Sequence, residues 1–536
     1  MAQRSASTVA VGVAVFVSGA VLLGVEIAAS RVLSPFFGNS LFVWGSLIGV
    51  VLAGLAAGYT LGGALADRFP TPPLLVAVIG VGGVLVLVIP LVDEPVLEAI
   101  VRWDPGPRLN PLFASVILFG PPSIVLAAVS PIAVRLQARS LHRVGRTAGQ
   151  LFALSTAGSI VGTIGAAFWL VPELGTGQLL GFAALALFAA AGIVALAERK
   201  LLATLAAAGA VAGAAVVAVA LAPDTGRTLS GVAARNWSPL YRSLDAAGPA
   251  DAPVAGRIVY SEDTRYHRLY VVDDGDTRYL RFDASLQSAM YIDEPFRTRF
   301  RYTDFLHLGI AYAPTARDVL FVGLGGGSAP KRMWRDFPEL EIEVAELDSV
   351  VVDVAHRYFA LPRDPRLRVD VDDGRRYLDD NDQRFDVIVV DAFFADGIPF
   401  HLFTREFLEL ARSRLEPGGV VVTNVIGALA GRGSRLFRAV YRTYRAAFPT
   451  VLVHPVVLGG ETDAALRNLI VVATEKGAPE KEFLVERWEG VRARFRTAPD
   501  LRKPILDRHD AFIPTRDVPI LTDDYAPTDS LLLLDQ

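Results

Sequence analysis

The sequence contains no cysteine, which excludes disulfide bridges, thiolate metal sites and cysteine nucleophiles. This absence is compatible with either side of a membrane, so it does not assign a compartment. Charge is also scarce, because Asp, Glu, Lys and Arg make up only 20% of the 536 residues and the net charge is −4. Without a basic field there is no reason to expect nucleic acid as a partner.

Apolar residues are abundant instead. Hydrophobic residues make up 52% of the chain and the mean hydropathy is +0.40, which is unlike an ordinary soluble enzyme. The mean hydropathy combines two different halves of the chain. Nearly all long apolar runs precede Pro223, and most of the charged residues follow it. We therefore predict a transmembrane domain over residues 1–225, with membrane lipid as a partner.

About 20 apolar residues are needed for a helix to cross the hydrocarbon of a bilayer. Seven stretches meet this requirement, roughly 9–29, 41–64, 73–92, 112–134, 149–171, 178–197 and 201–222. Three prolines predict a kink in the fourth span, namely Pro121, Pro122 and Pro131. Residues 93–111 are expected to form a loop or an interfacial segment. The first stretch also fits a signal peptide, but it lacks a clean cleavage site and further spans follow it.

The side of the membrane that the C-terminal half faces stays open. Arginines cluster between the fourth and fifth predicted spans, and Arg199 with Lys200 separates the sixth from the seventh. The positive-inside rule places both loops in the cytoplasm, so seven spans would put the residues after 222 outside. Glu26 lies within the first span, where a carboxylate indicates function unless it faces Arg31 or water. We predict a multi-pass protein of the cell membrane.

The second half is predicted to contain a linker with a small β subdomain over 226–300 and an α/β domain over 301–536. Three short runs predict an antiparallel sheet, with a turn at Asp274–Gly275: 257–260, 268–272 and 279–282. Six apolar strands then alternate with helical patterns: 319–322, 342–345, 367–371, 387–390, 420–425 and 469–473. This alternation predicts a doubly wound, mostly parallel sheet, in which ligands bind at the carboxyl ends of the strands.

Four consecutive predicted strands end in a glycine loop or a carboxylate. The loop contains Gly323, Gly325 and Gly327, and glycines there allow a ligand to approach the backbone. The next three strands are followed by Glu346, Asp373 and Asp391. A carboxylate in such a position can accept hydrogen bonds from ribose hydroxyls or from an adenine amino group. A tight turn explains a glycine loop alone, and NAD binding shares the first two features. No lysine followed by Ser or Thr completes the loop, which disfavours a P-loop.

These motifs resemble the spermidine synthase family of polyamine aminopropyltransferases. The matching segments are VLFVGLGGG at 319–327, Glu346 with Asp348, Asp373 with Gly374, FDVIVVD at 385–391, LFTREF at 402–407 and LTDDYAP at 521–527. The resemblance covers roughly 255–536 and implies a Rossmann fold of the AdoMet-methyltransferase kind. The N-terminal half is similar to the spans of membrane-anchored members, best over 26–31 and 44–59.

The resemblance implies transfer of an aminopropyl group from decarboxylated AdoMet, as co-substrate, to a putrescine-like amine, with release of methylthioadenosine and no metal. Asp391 and Tyr302 take the catalytic positions. The co-substrate positions fall on Gly323, Gly325, Gly327, Glu346, Asp373, Gly374 and His267. The amine positions fall on Asp396 and Gln287. A homodimer is compatible with the resemblance.

The amine side departs from the family pattern. Phe394 stands where the family has a second aspartate, and Asp396 is the candidate substitute. Thr303 follows the family tyrosine in place of Gln or His, His267 aligns with a glutamine, and Gly326 aligns with an acidic residue. Two alternatives therefore stay open: a methyl- or alkyltransferase that uses intact AdoMet, and a transporter-like protein that senses a nucleoside or polyamine without turnover.

Overall fold

The structure is a computed structural model that describes residues 2–37, 41–103, 105–106, 108–138, 144–171, 176–197, 256–283, 285–393, 398–457, 462–528 and 531. The chain divides into two compact units. The first comprises Met1–Asp224 with Glu262–Arg268, and the second comprises Thr225–Ser261 with Leu269–Gln536. The predicted domain boundaries at 225 and 300 stay predictions, because the first of them lies outside the described residues.

The first unit is built from apolar helices. They are α1 (Ala2–Phe37), α2 (Leu41–Arg68), α3 (Pro72–Trp103), α4 (Leu109–Leu118), α5 (Gly120–Ala127), α6 (Val129–Gln137), α7 (Val144–Gly165), which continues as the π-helix Ala166–Leu170, and α8 (Thr176–Ala197). Among the described residues, α1, α2, α3, α7 with its π-helical extension, and α8 each contain a stretch long and apolar enough to cross a membrane. The described part thus contains five such helices.

A sixth candidate span consists of two helical stretches joined at a bend. Leu109–Leu118 and Gly120–Gln137 meet at 47° and together pass the same test of length and hydropathy. A proline lies in the first turn of α5, directly after the bend, where its missing N–H group costs no helical hydrogen bond. Six of the seven predicted spans thus coincide with apolar helices, and the seventh, 201–222, lies outside the described residues.

The expectation of a loop over 93–111 was wrong for its first part. Helix α3 continues through Pro90 and Pro95 and ends at Trp103. Each proline removes only one backbone hydrogen bond, and neighbouring helices let long apolar helices tolerate such a loss. An ion pair between Glu98 and Arg102, 2.6 Å long and one turn apart, supports the last turns of the helix.

Glycines allow α1 and α7 to pack with their backbones in contact. A Cβ atom on Gly158 would collide with the backbone oxygen of Phe16, and one on Gly162 with that of Ala20. Helices in lipid gain little from the hydrophobic effect against one another, so close packing through small residues is a main source of their association. This pair of helices therefore depends on the absence of side chains at 158 and 162.

The small β sheet has four strands in the order β1-β2-β3-β4, with bounds Arg257–Asp263, Arg268–Asp274, Thr277–Phe282 and Ser285–Tyr291. The predicted turn is present, since Asp274 pairs with Thr277 and Gly275 has a positive φ of 59°. The fourth strand was not predicted. Its register against β3 shifts next to Gln287, and such a bulge interrupts the alternation that marks a strand in sequence.

The large sheet has seven strands in the order β10-β11-β9-β8-β5-β6-β7. The strands are β5 (Asp318–Val322), β6 (Glu341–Glu346), β7 (Leu367–Val371), β8 (Phe385–Val390), β9 (Leu415–Gly427), β10 (Thr450–Pro455) and β11 (Arg467–Thr474). Strands β5 to β9 are parallel, and β11 runs antiparallel to both β9 and β10. The predicted doubly wound, mostly parallel sheet is confirmed, and β10 is an additional strand.

Helices connect and cover these strands. They are α9 (Tyr302–Phe305), α10 (Leu308–Tyr312), α11 (Ser328–Asp336), α12 (Ser349–Tyr358), α13 (Gly374–Asp380), α14 (Arg405–Ser413), α15 (Arg435–Ala447), α16 (Lys481–Arg494) and α17 (Arg502–Leu506). Alternate residues of the central strand β8 enter two buried apolar clusters, with Ile388 and Val390 in one and Val387 and Val389 in the other. A strand that is buried on both faces has a continuous apolar sequence. Burial on both faces holds β8 in place, and with it the strand end at which the candidate site lies.

We predict that Gly162→Ala destabilises the protein while Gly149→Ala does not. Both glycines lie in α7, where alanine favours the helix by up to about 1 kcal/mol. Position 149 has open space for a methyl group, whereas position 162 faces the α1 backbone, and overpacking costs about 1–3 kcal/mol. Thermal unfolding in detergent should show a lower Tm for Gly162→Ala alone. Equal Tm values for the two variants would contradict the close packing of α1 on α7.

Candidate active site

The glycine loop turns sharply between β5 and α11. Gly323, Gly325 and Gly327 have positive φ angles of 98°, 53° and 68°, a conformation that glycine adopts without strain. A Cβ atom on Gly323 would lie 2.5 Å from the backbone oxygen of Asp391. The Gly326 N–H donates a 2.8 Å hydrogen bond to the Ser288 hydroxyl of β4. The loop thus lies against the end of β8 and against the small sheet.

Glu346, the last residue of β6, holds the glycine loop. Its carboxylate accepts hydrogen bonds of 2.9 Å from the Leu324 N–H and from the Asp348 N–H. Burial nevertheless raises the pKa of Glu346 to about 7, against the lowering effect of these donors. The Asp348 side chain caps the N-terminus of α12 by accepting a 3.0 Å hydrogen bond from the Val350 N–H.

Asp373 caps α13 and is bound by a histidine. One carboxylate oxygen accepts hydrogen bonds of 3.0 and 3.1 Å from the N–H groups of Arg375 and Arg376. The other lies 2.9 Å from His401 Nε2. The hydrogen bond from His401 is the largest influence on the carboxyl group, and it holds the pKa of Asp373 below its usual value despite burial. Asp373 therefore stays charged at neutral pH.

Asp391 follows β8 and receives two side-chain hydrogen bonds. Asn424 Nδ2 donates to Asp391 Oδ1 over 2.9 Å, and the Tyr302 hydroxyl donates a second hydrogen bond. Burial raises the pKa of Asp391 to about 6, and both donors oppose this rise. A carboxylate with this pKa is still ionised at neutral pH but accepts a proton more readily than an exposed aspartate.

The structure brings the predicted carboxylates to one edge of the sheet. Glu346 bonds the loop at Leu324, and the Asp391 N–H donates to the Val322 oxygen over 3.0 Å. Gly374, directly after Asp373, packs so closely on Val322 that a Cβ atom would collide with that side chain. Each carboxylate or its neighbour thus contacts the segment 322–324 at the carboxyl end of β5.

Three predicted residues are not joined to this edge by the contacts of the described residues. Gln287 donates a 3.0 Å hydrogen bond to Ser285 within its own strand. His267 belongs to the segment Glu262–Arg268, which groups with the first unit, and burial lowers its pKa to about 3. Asp396 lies outside the described residues, together with Phe394. The roles expected for these positions stay predictions.

Sequence reasoning missed three side chains of the site, Ser288, His401 and Asn424. Asn424 lies near the carboxyl end of the buried strand β9 and is only 1% exposed. A buried amide within an apolar strand needs a partner, so its position carried a usable signal. The sequence around Ser288 and around His401 shows no such contrast between a polar residue and a buried apolar strand. No group of three His, Asp or Glu residues within the described parts has the geometry of a metal site.

Comparison with known proteins shows the family of the chain. Residues 299–451 match the Spermine/spermidine synthase domain. The chain is 33% identical over 199 residues to the polyamine aminopropyltransferase of Vibrio vulnificus, covering 36% of this chain and 65% of that protein. It is 30% identical over 209 residues to polyamine aminopropyltransferase 1 of Pseudomonas aeruginosa, covering 35% of this chain and 72% of that protein. The chain belongs to the polyamine aminopropyltransferase family.

Spermidine synthase from Thermotoga maritima is a structural neighbour of this polyamine aminopropyltransferase family member, with 20% identity and a TM-score of 0.36, over 47% of this chain and 88% of that one. The matched domain contains the glycine loop and all three carboxylates. The match with the Vibrio vulnificus relative spans just under two thirds of that protein's length. The apolar helices of this family member lie entirely outside the matched domain.

We predict that Asp373→Ala destabilises the protein and that Asp373→Ser does not. Alanine removes the cap of α13, a loss of about 0.5–2 kcal/mol, whereas serine keeps an oxygen acceptor. Because the folded-state pKa of Asp373 is lowered, its contribution is present at neutral pH and is lost as the pH falls through that value. Thermal unfolding of the full chain at neutral and acidic pH measures this. An Asp373→Ala variant as stable as the parent at neutral pH would contradict the capping role.

Proposed function

We propose that this protein is a membrane-anchored aminopropyltransferase. It would transfer the aminopropyl group of decarboxylated AdoMet to a polyamine-type amine such as putrescine and release methylthioadenosine. The observation that carries the proposal is the position of Asp391. Its carboxylate accepts hydrogen bonds from Tyr302 and Asn424. Asp391 also lies next to the glycine loop, which is hydrogen-bonded to Glu346 at the end of the sheet.

The co-substrate would bind at the loop and the two flanking carboxylates. Glycines 323, 325 and 327 let the loop take positive φ angles and pack closely on its protein neighbours, so that its backbone would face the nucleoside. Gly374 keeps α13 close to β5. Glu346 would accept hydrogen bonds from the ribose hydroxyls, which suits a partly buried carboxylate next to a glycine loop. The Asp373 oxygen that faces His401 keeps a lone pair for the adenine amino group. His267 is proposed as a further contact on the co-substrate side.

The reaction would be an in-line displacement. The amine nitrogen attacks the aminopropyl carbon next to the sulfonium, a C–N bond forms, the C–S bond breaks, and the electron pair leaves on sulfur as a neutral thioether. The nitrogen must lose one proton over the reaction, and Asp391 is placed to accept it or to orient the amine that sheds it to water. Its raised pKa of about 6 brings Asp391 nearer to the operating pH than an ordinary aspartate. Tyr302 would orient this carboxylate, while Asp396 and Gln287 would contact the amine.

The apolar helices support membrane anchoring as part of the proposal. Five helices and one bent pair in the described part are long and apolar enough to span a bilayer, so we propose a multi-pass protein of the cell membrane with lipid as a partner. The side that the enzyme domain faces is left open by the arginine distribution. A homodimer stays a prediction from the family resemblance.

We predict that the full chain in detergent converts decarboxylated AdoMet and an amine into methylthioadenosine, and that Asp391→Asn abolishes this turnover. The amide keeps the size of the side chain but accepts a proton far less readily, so kcat should fall by a factor of about 100 or more. Mass spectrometry with a panel of diamines and triamines detects both products. Product formation from intact AdoMet instead, as a methylated amine, would contradict the assignment.

We predict that methylthioadenosine binds more weakly as the pH falls below 7. The ribose hydroxyls donate to the ionised form of Glu346, whose pKa is about 7, so affinity should drop about tenfold between pH 8 and pH 6. Isothermal titration of the full chain measures the affinity.

Two variants serve as controls for this pH dependence. Glu346→Gln should bind more weakly at every pH and lose the dependence, because an amide does not titrate. Asp391→Asn should keep it, because that variant leaves Glu346 intact. An unchanged pH dependence in Glu346→Gln would contradict the role of Glu346.

A further inference from the structure

Two asparagines form a hydrogen-bonded chain that ends on Asp391. Asn468 Nδ2 donates to Asn424 Oδ1 over 2.9 Å, and Asn424 Nδ2 donates to Asp391 Oδ1, also over 2.9 Å. The sheet creates this arrangement. Asn424 of β9 pairs with Ile470 of β11, so Asn468, two residues away, lies diagonally across on the same face. Asn424 is 1% exposed, which leaves its amide little access to water.

We infer that Asn468 is a positioning residue, which fixes the orientation of the Asn424 amide so that its donor end faces Asp391. This inference rests on the proposed function, because it assigns Asp391 the role of accepting the amine proton. Asn424 has one donor end and one acceptor end. If the Asn424 amide were reversed, its oxygen would face a carboxylate oxygen and its NH₂ group would face the NH₂ group of Asn468. Only the observed orientation satisfies all three side chains.

The fixed donor has a chemical consequence for Asp391. A hydrogen bond donated to Oδ1 favours the ionised carboxylate. Within the described residues, the groups that act on this carboxyl are the Asn424 amide and the Tyr302 hydroxyl. Without Asn468, the Asn424 oxygen loses its donor, so turning this oxygen towards Asp391 costs one hydrogen bond less, and the reversed amide favours a protonated carboxyl group. Asn468 would thus keep Asp391 ready to accept a proton without contacting the substrate.

The test uses two leucine variants, Asn424→Leu and Asn468→Leu, and their double variant, in the full chain in detergent. One measurement is the acidic limb of the pH profile of kcat/KM for aminopropyl transfer. The other is an infrared titration of the Asp391 carboxyl stretch, assigned by its loss in Asp391→Asn. The infrared titration needs no substrate, so it tests the inference even if the protein transfers no aminopropyl group.

Asn424→Leu should move the infrared titration and the acidic limb to higher pH, because a donor to Asp391 is lost. Asn468→Leu should move both in the same direction, and the double variant should coincide with Asn424→Leu, because Asn468 acts only through Asn424. An Asn468→Leu variant that titrates like the parent overturns the inference. A double variant whose shift is the sum of the single shifts overturns it as well.

Thr423→Val is the matched control for a loss of stability. Thr423 lies next to Asn424 on β9, is fully buried, and shares a 2.5 Å hydrogen bond with the Tyr444 hydroxyl on the opposite face of the strand. This variant removes a buried polar contact from the same strand without touching Asp391. It should lower the Tm and leave the Asp391 titration in place. A shift of the titration in Thr423→Val would assign the effect to general loosening of β9 and overturn the inference.

Discussion

The hydrogen bonds from two backbone N–H groups to the Glu346 carboxylate are the constraint on which the site depends. They join the loop after β5 to the end of β6. The loop turns through three glycines with positive φ, and the N–H groups of Leu324 and Gly326 bond side chains, Glu346 and Ser288, instead of a regular helix or strand partner. Burial competes with these donors and prevails, as the raised pKa of Glu346 shows. The carboxylate therefore gains from further donors, and ribose hydroxyls would supply them in the proposed reaction.

The ends of β7 and β8, which are separated in the sheet by β5 and β6, carry carboxylates with different properties. Asp373 receives helix N–H groups and His401, which favour its charged form. Among the described residues, two side chains donate hydrogen bonds to Asp391, and burial outweighs them, so its pKa rises. In the proposed reaction the first would act as a fixed acceptor for the nucleoside and the second as a proton acceptor for the amine. Both residues are aspartates, so the difference between their proposed roles arises from the surroundings at each strand end and not from residue type.

The two units are stabilised by different physical effects. In the second unit, buried β-branched residues such as Val387 and Val389 fill both faces of the sheet, and the hydrophobic effect holds the strand ends in place. In the first unit, α1 and α7 approach through Gly158 and Gly162, and such close packing would hold them together in the proposed lipid surroundings, where the hydrophobic effect between helices is weak. The residues proposed for chemistry that the contacts join lie in the second unit.

Local patterns in the sequence were sufficient to predict five apolar helices and one bent pair, the strand–helix alternation and the carboxylates after the strands. The length of an apolar run and its residue types indicate burial directly. They were sufficient to predict α7, β8 and the positions of Glu346 and Asp391. The continuation of α3 beyond Pro95 did not follow, because neighbouring helices override the tendency of proline to end a helix.

Contacts between distant segments depended on the folded sheet. His401 reaches Asp373 across 28 residues, Asn424 reaches Asp391 across 33, and Asn468 reaches Asn424 across 44. Alternation along a strand indicates which side chains share a face, but it does not indicate which strands are neighbours. The placement of β9 beside β8 brings Asn424 to Asp391. The placement of β11 beside β9, in antiparallel register, brings Asn468 to Asn424, and both placements result from packing of the whole domain.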